Sequence, residues 1–255
     1  MRGKRIAVLL LLAGSAAAPK TLRAQWKTPW DYTGPRGADQ WSALDPAYAI
    51  CNTGKQQSPI DIVGAERADL PALSFENHSA PLDHLVNNGH TVRVNYAAPG
   101  SGDFLIVGEK RYQLTQFHFH HPAEELINGK RYPMELHYMY AAADGEVAGV
   151  AVFLEAGRTE ATVQTLWDHM PLVVGKEENI AGLEVNPGEM LPPNTAYYRY
   201  LGSVTAPPCT EGVVWYVVKT PVEMSAAQIA AFAKLYPNDA RHPMPLNGRV
   251  VSESR

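Results

Sequence analysis

Alternation of apolar and polar residues recurs along this chain and constrains its fold more than any other feature. Side chains of a β-strand point alternately to its two faces, so such segments are typical of half-buried strands. An almost wholly apolar run at residues 147–154 predicts a central strand buried on both faces. The alternating segments are residues 90–96, 113–120, 134–140 and 213–219.

Two helices stand out between these strands. Apolar residues have helical spacing within 163–170, and Ser225 with Gln228 forms a capping box at the start of a helix that buries Ile229 and Phe232. Twenty glycines and twenty prolines indicate many turns. The chain is long enough for one large domain and shows no repeat or linker. We therefore predict a mainly β fold, with peripheral helices around a central sheet.

The first residues have the pattern of a secretory signal peptide. Basic residues at positions 2, 4 and 5 precede an apolar run at 6–12 and small residues at 13–18. The run is far short of the roughly 20 residues that span a bilayer. We predict a signal peptide over residues 1–24, cleaved after Ala18 or Ala24, and a functional domain over 25–255. The mature protein is expected to be exported, either periplasmic or secreted.

Charge and cysteine content limit the partners and the compartment. A net charge of −4 and a pI near 6.1 favour neither nucleic acid nor a membrane surface as partner. In an oxidising compartment the two cysteines, Cys51 and Cys209, favour a disulfide, worth on the order of 5 kcal/mol in the chain-entropy model. Two buried free thiols are the alternative.

The most informative segment for chemistry is the strand that contains two histidines. Because residues two apart share a strand face, Gln116, His118 and His120 lie on one side and Phe117 and Phe119 on the other. Two imidazoles on one face of a strand can reach the same metal ion.

A third histidine follows in a segment of the same kind. Asn128-Gly129 favours a turn, so the strand that contains Glu135 and His137 can pair antiparallel with the first histidine strand. Three neutral histidines with an open position make a catalytic zinc site. Gln116 and Glu135 are placed to accept hydrogen bonds from the N–H groups of His118 and His137 that do not face the metal.

A cupin-type metalloprotein is an alternative interpretation of these residues. His118, His120 and Glu124 resemble the first cupin motif. A cupin also needs a later histidine ligand after a Pro-x-Gly turn, and residues 186–189 are followed by no histidine until His242. This alternative leaves the segment 135–137 unexplained.

Five motifs follow one another along the chain: QSPIDI (57–62), NNGH (87–90), QFHFH (116–120), ELH (135–137) and GSVTAPPCTEG (202–212). In these motifs and their order the chain resembles the exported bacterial α-carbonic anhydrases, from about Trp30 to Arg249. The resemblance implies a central twisted, mostly antiparallel sheet of about ten strands. It also implies reversible hydration of carbon dioxide to bicarbonate and a proton, by attack of hydroxide bound to zinc on His118, His120 and His137. The cysteine pair resembles the disulfide of secreted members.

The resemblance also implies roles for individual residues. Thr205 would accept a hydrogen bond from the zinc-bound hydroxide and donate a hydrogen bond to Glu124. His90 would carry protons to bulk water, through water molecules ordered by Tyr32 and Asn88. An apolar wall would hold carbon dioxide beside the metal; its residues would be Met139, Val204, Val213 and Trp215.

Three positions depart from the family pattern. Glu125 stands where many relatives have histidine, Ala206 where some have threonine, and Gly149 where relatives often have valine, which predicts a wider cavity. A non-catalytic, carbonic-anhydrase-like binding protein is the second functional interpretation, although such relatives typically lack a zinc histidine and this chain has all three. A homodimer is compatible with the sequence.

Overall fold

The structure, a computed structural model, describes residues 28–96 and 102–255, so the predicted signal peptide lies outside the described residues. Strands dominate the described residues. They are β1 (Asp61–Ile62), β2 (Glu66–Arg67), β3 (Leu73–Glu76), β4 (Ala80–Pro81), β5 (Leu85–Asn87), β6 (Val92–Asn95), β7 (Phe104–Val107), β8 (Lys110–His120), β9 (Leu126–Ile127), β10 (Lys130–Arg131), β11 (Met134–Ala142), β12 (Val147–Ala156), β13 (Glu177–Glu178), β14 (Glu184–Val185), β15 (Tyr197–Ser203), β16 (Glu211–Met224) and β17 (Ser252–Glu253). The α-helices are α1 (Trp41–Leu44), α2 (Ile50–Thr53), α3 (Ala161–Asp168) and α4 (Ala226–Leu235), and short 3₁₀ turns lie at Gly34–Arg36, Ala38–Gln40, Pro46–Tyr48 and Pro187–Met190.

One large sheet organises the molecule. Within the described ranges it has 12 strands, in the order β13-β5-β6-β8-β11-β12-β16-β15-β17-β2, with β7 joining β3 to β8. Most neighbours are antiparallel; the β12–β16 and β17–β2 pairs are parallel. The mainly β fold with peripheral helices and a mostly antiparallel central sheet is confirmed.

Strand β12 lies in the middle of this sheet, between β11 and β16. Its side chains alternate between two buried clusters, with Val150 and Val152 in the larger one and Ala151 and Phe153 in the other. A strand covered on both faces needs apolar residues at every position, which explains its continuous apolar run.

The two histidine strands pair antiparallel, as predicted, and His137 lies opposite His118. The turn at Asn128-Gly129, where both residues have positive φ, closes the small β9–β10 hairpin instead of joining the histidine strands directly. The predicted turn is therefore present, but it lies in an excursion between β8 and β11.

The two longer helices pack against each other at the edge of the fold. The capping box of α4 is present: the Ser225 hydroxyl accepts from the backbone N–H of Gln228, and the Gln228 side chain accepts from that of Ser225. The Gln228 amide also donates to the carbonyl of Glu160 at the start of α3, at 2.7 Å. Within the described part of the chain, no helix is long and apolar enough to cross a membrane.

Candidate metal centre and its cavity

Three histidines of two paired strands of the central sheet converge at one point. His118 and His120 lie on β8 and His137 lies on β11, in the register that places His137 beside His118. One ring nitrogen from each lies within 4.8 Å of the other two. Rigid, paired strands thus bring the three predicted ligands to one point.

Hydrogen bonds behind the rings fix two of these histidines. Nδ1 of His118 donates to Oε1 of Gln116 at 2.8 Å, as the sequence predicts. Nδ1 of His120 donates to the backbone carbonyl of Asp239 at 2.7 Å. Both histidines are therefore held with Nε2 free for a ligand bond.

His137 is oriented by carboxyl groups instead. Its Nε2 lies 3.6 Å from Glu135, the predicted partner, and 3.5 Å from Glu125, which the sequence interpretation did not include. The Tyr200 hydroxyl donates to Glu125 at 2.7 Å and holds that carboxyl group in place. This leaves Nδ1 of His137 for a ligand bond.

The donor set fits a metal ion. Nε2 of His120 and both ring nitrogens of His137 are buried and have no hydrogen-bond partner among the described residues; of the two on His137, Nε2 is the one that faces Glu125 and Glu135. Buried polar atoms are seldom left without a partner, so two such nitrogens facing one point indicate a cation ligand. Burial and the neighbouring histidine charges lower the pKa values of His118 and His120, which favours the neutral form that binds metal.

Next to the ligand nitrogens lies a buried carboxyl group, Glu124, whose Oε2 is 3.5 Å from Nε2 of His120 and 3.9 Å from Nδ1 of His137. Its Oε1 accepts from the backbone N–H of Arg241 at 2.7 Å. Burial raises the pKa of Glu124 to about 7. The hydroxyl of Thr205 forms a hydrogen bond with this carboxyl group and acts to lower the pKa. The structure thus brings Thr205 and Glu124 together next to the metal centre.

A cavity of about 130 Å³ opens over the three histidines. One side is apolar and includes Met139, Val204 and Trp215, as the sequence predicts. The remaining predicted wall residue, Val213, does not line the cavity: it is buried in the same apolar cluster as Met139 and Trp215.

Gly149 does not widen the cavity, contrary to prediction. A Cβ at this position would lie 2.6 Å from ring atoms of Trp215, its cross-strand partner on β16. The Trp215 ring, held by a 2.9 Å hydrogen bond from its N–H to the Ser203 carbonyl, fills the space that a larger side chain would take.

The predicted proton-transfer residues lie at the polar side of the cavity. Tyr32, Asn88 and His90 all line it, together with Trp30. The His90 ring is stacked on Trp30, with centroids 3.7 Å apart and planes within 5°. Burial lowers the pKa of His90 to about 4 in this position.

Three contributors to the site were missed by the sequence interpretation. Arg93 lines the cavity, the Asp239 carbonyl holds His120, and Trp30 stacks on His90. The alternation in residues 90–96 puts Arg93 on the polar face of its strand, which is a usable signal. A backbone carbonyl has no side-chain signature, so the role of Asp239 could not be found in this way.

The fold and the site define a class: a β-sheet protein with three histidines that could hold a metal ion in an open cavity. Comparison with known proteins identifies the family. The family model for eukaryotic-type carbonic anhydrase matches residues 36–255. A carbonic anhydrase of Nostoc sp. is 39% identical over 249 residues, covering 96% of this chain and 93% of the relative. One from Neisseria gonorrhoeae is 37% identical, covering 98% of this chain and 96% of the relative.

A solved structure agrees with these sequence relatives. The α-carbonic anhydrase of Thermovibrio ammonificans, in complex with the inhibitor sulfanilamide, superimposes with a TM-score of 0.83 at 38% identity, covering 89% of this chain and 99% of that one. The chain belongs to the α-carbonic anhydrase family. It is an enzyme whose reaction is the reversible hydration of carbon dioxide, and the cupin alternative is wrong.

Proposed function

We propose that this chain hydrates carbon dioxide at a zinc ion held by Nε2 of His118, Nε2 of His120 and Nδ1 of His137. The observation that carries the proposal is the convergence of these nitrogens, each on a ring held from behind by an acceptor or a carboxyl group. Three neutral imidazoles that leave a position open are the ligand set of catalytic zinc. Zinc supplies Lewis acidity and a water-derived nucleophile at neutral pH, chemistry for which carbonic anhydrase is itself the reference example.

Thr205 selects what binds beside the metal. When its hydroxyl donates a hydrogen bond to Glu124, its oxygen is left as an acceptor toward the cavity. A group that brings a proton is then favoured next to the histidines, and one with only lone pairs is disfavoured. Arg241 supports this arrangement by holding Glu124 through its backbone N–H.

The apolar side of the cavity positions the substrate. Carbon dioxide has no hydrogen-bond donor and no net charge, so Met139, Val204 and Trp215 can hold it near the histidines through dispersion contacts.

His90, Tyr32 and Asn88 are proposed to carry the released proton outward. A histidine with a pKa near 4 gives up a proton readily but rarely accepts one at neutral pH. Away from the Trp30 stack, the pKa of His90 returns toward about 6.5. We infer that His90 accepts a proton in that position and releases it to solvent.

The mature chain is proposed to act outside the cytoplasm, in the periplasm or as a secreted protein, after removal of residues 1–24. The disulfide between Cys51 and Cys209 supports an oxidising compartment. Sequencing the N-terminus of the exported protein would show whether cleavage follows Ala18 or Ala24. Sedimentation of the same sample would test for a homodimer.

Stopped-flow hydration of carbon dioxide, with zinc determined on the same sample, tests the proposal. We expect one zinc per chain, fast hydration, and loss of both on chelation or in His118→Ala. The matched control is His84→Ala, which removes an exposed histidine paired with Glu177. Bound zinc without hydration would instead support the non-catalytic binding protein.

A further inference from the structure

Arg93 occupies a position in the metal cavity that the hydration mechanism does not use. On β6 it lies directly opposite His118 of β8, and its neighbours Val92 and Val94 are buried in the apolar core. Since side chains alternate along a strand and directly opposed residues share a face, Arg93 lies on the same face as the metal ligands. It lines the cavity together with Gln116.

The described residues supply no compensating partner for the guanidinium of Arg93. Among residues 28–96 and 102–255 it makes no hydrogen bond and no ion pair, and its Nε is buried without an acceptor. The charge of Glu177 acts on it from a distance, but that carboxylate pairs with His84. A half-buried cation with a buried donor left unsatisfied is costly unless an anion accompanies it.

A second donor group lies next to Arg93. Gln116 is its diagonal neighbour across the two strands, because Gln116 pairs with Asn95 and His118 pairs with Arg93. The carbonyl oxygen of Gln116 is engaged by His118, so its amide nitrogen remains as a donor at the cavity wall. The polar side of the cavity therefore presents a guanidinium fork and an amide.

We propose that Arg93, assisted by Gln116, forms a carboxylate-binding subsite in the metal cavity. The planar fork of a guanidinium matches a carboxylate with two parallel hydrogen bonds. Bicarbonate has the same planar group, so the subsite also binds the reaction product; this part rests on the proposed hydration activity. Arg93 then determines specificity for anions, in a cavity whose apolar residues suit carbon dioxide.

Acetate and its neutral isostere acetamide test the subsite on the zinc-loaded protein. Binding of both ligands is measured by NMR titration. We expect Arg93→Gln to weaken acetate binding about tenfold or more and to leave acetamide binding unchanged. Arg93→Lys keeps the positive charge but not the planar guanidinium, so its acetate affinity should lie between those of the unmodified protein and Arg93→Gln. The control is Arg111→Gln, at an exposed guanidinium paired with Glu76. Equal acetate affinity in Arg93→Gln and the unmodified protein, or equal losses for acetate and acetamide, would overturn the proposal.

Bicarbonate distinguishes the source of the carboxylate. If the product occupies the subsite, Arg93→Gln raises the KM for bicarbonate in the dehydration direction. An unchanged KM together with weaker acetate binding would assign the subsite to carboxylates from outside the reaction. The acetate titration needs no turnover, so an inactive protein would contradict the proposed function without deciding the subsite.

Discussion

At the scale of single residues, the two carboxyl groups behind His137 control its protons. Burial acts to lower the pKa of His137, but Glu125 and Glu135 outweigh it and raise the pKa to about 10. In the metal-free protein these carboxyl groups therefore favour protons on both ring nitrogens of His137. Zinc can bind Nδ1 only by displacing one of them.

We expect Glu125→Gln to lower the pKa of His137 and to reduce the number of protons released when zinc binds at about pH 8. Calorimetric titration in two buffers of different ionisation enthalpy measures this number. Glu76→Gln, which changes an exposed carboxylate paired with Arg111, serves as the control. Equal proton release in Glu125→Gln and the unmodified protein would show that Glu125 does not act on His137.

The stacked His90 makes the free energy of unfolding depend on pH. Its pKa is about 4 in the folded protein and about 6.5 when unfolded, so the unfolded chain binds more protons between these values. This contribution to stability is present in full above about pH 6.5 and decreases as the pH falls toward about 4.

Urea unfolding at about pH 7 and about pH 5 should therefore show a smaller loss of stability in His90→Gln than in the unmodified protein. His84→Gln, at an exposed position, should keep the full loss. If His90→Gln lost as much stability as the unmodified protein, burial of the neutral ring against Trp30 would not be the cause.

At the scale of strands, sequence predicts faces well and neighbours poorly. The two-residue spacing of His118 and His120 is enough to place both on one side of β8. The place of Arg93 opposite His118 depends on the register between β6 and β8, which no local pattern encodes. Likewise, His120 donates to a carbonyl 119 residues away, at Asp239.

Gly149 is a second residue whose neighbour the sequence does not predict. Its partner across the parallel β12–β16 pair, Trp215, decides whether the missing side chain widens the cavity. A methyl group there would overlap the Trp215 ring, so Gly149→Ala should lower the free energy of unfolding by about 1–3 kcal/mol. Gly145→Ala is a control with open space around the position, although its positive φ adds a backbone cost.

The Gly149→Ala change should also slow hydration, since the displaced Trp215 ring forms part of the cavity wall. Urea unfolding and stopped-flow assays on one sample measure both effects. Unchanged stability and rate would mean that the strand pair adjusts without moving the ring.

At the scale of the whole molecule, one disulfide connects distant parts of the chain. Cys51 on α2 is bonded to Cys209, 158 residues away, in the loop that follows Thr205. Two side chains bridge the same region: Arg241 donates to the Cys51 carbonyl at 2.5 Å, and Gln57 donates to the Cys209 carbonyl at 3.0 Å. The loop is thus held by hydrogen bonds as well as by the covalent link.

Replacing both cysteines by serine should therefore affect stability more than the site. Since the disulfide restricts most of the unfolded chain, its removal should lower the free energy of unfolding by about 2–5 kcal/mol. Gln57 still holds the loop in the folded state, and Arg241 in turn donates to Gln57, so the hydration rate per folded molecule should change little. Urea unfolding gives the first quantity, and stopped-flow assays corrected for the folded fraction give the second. A large loss of rate in fully folded protein would show that the covalent link itself positions Thr205.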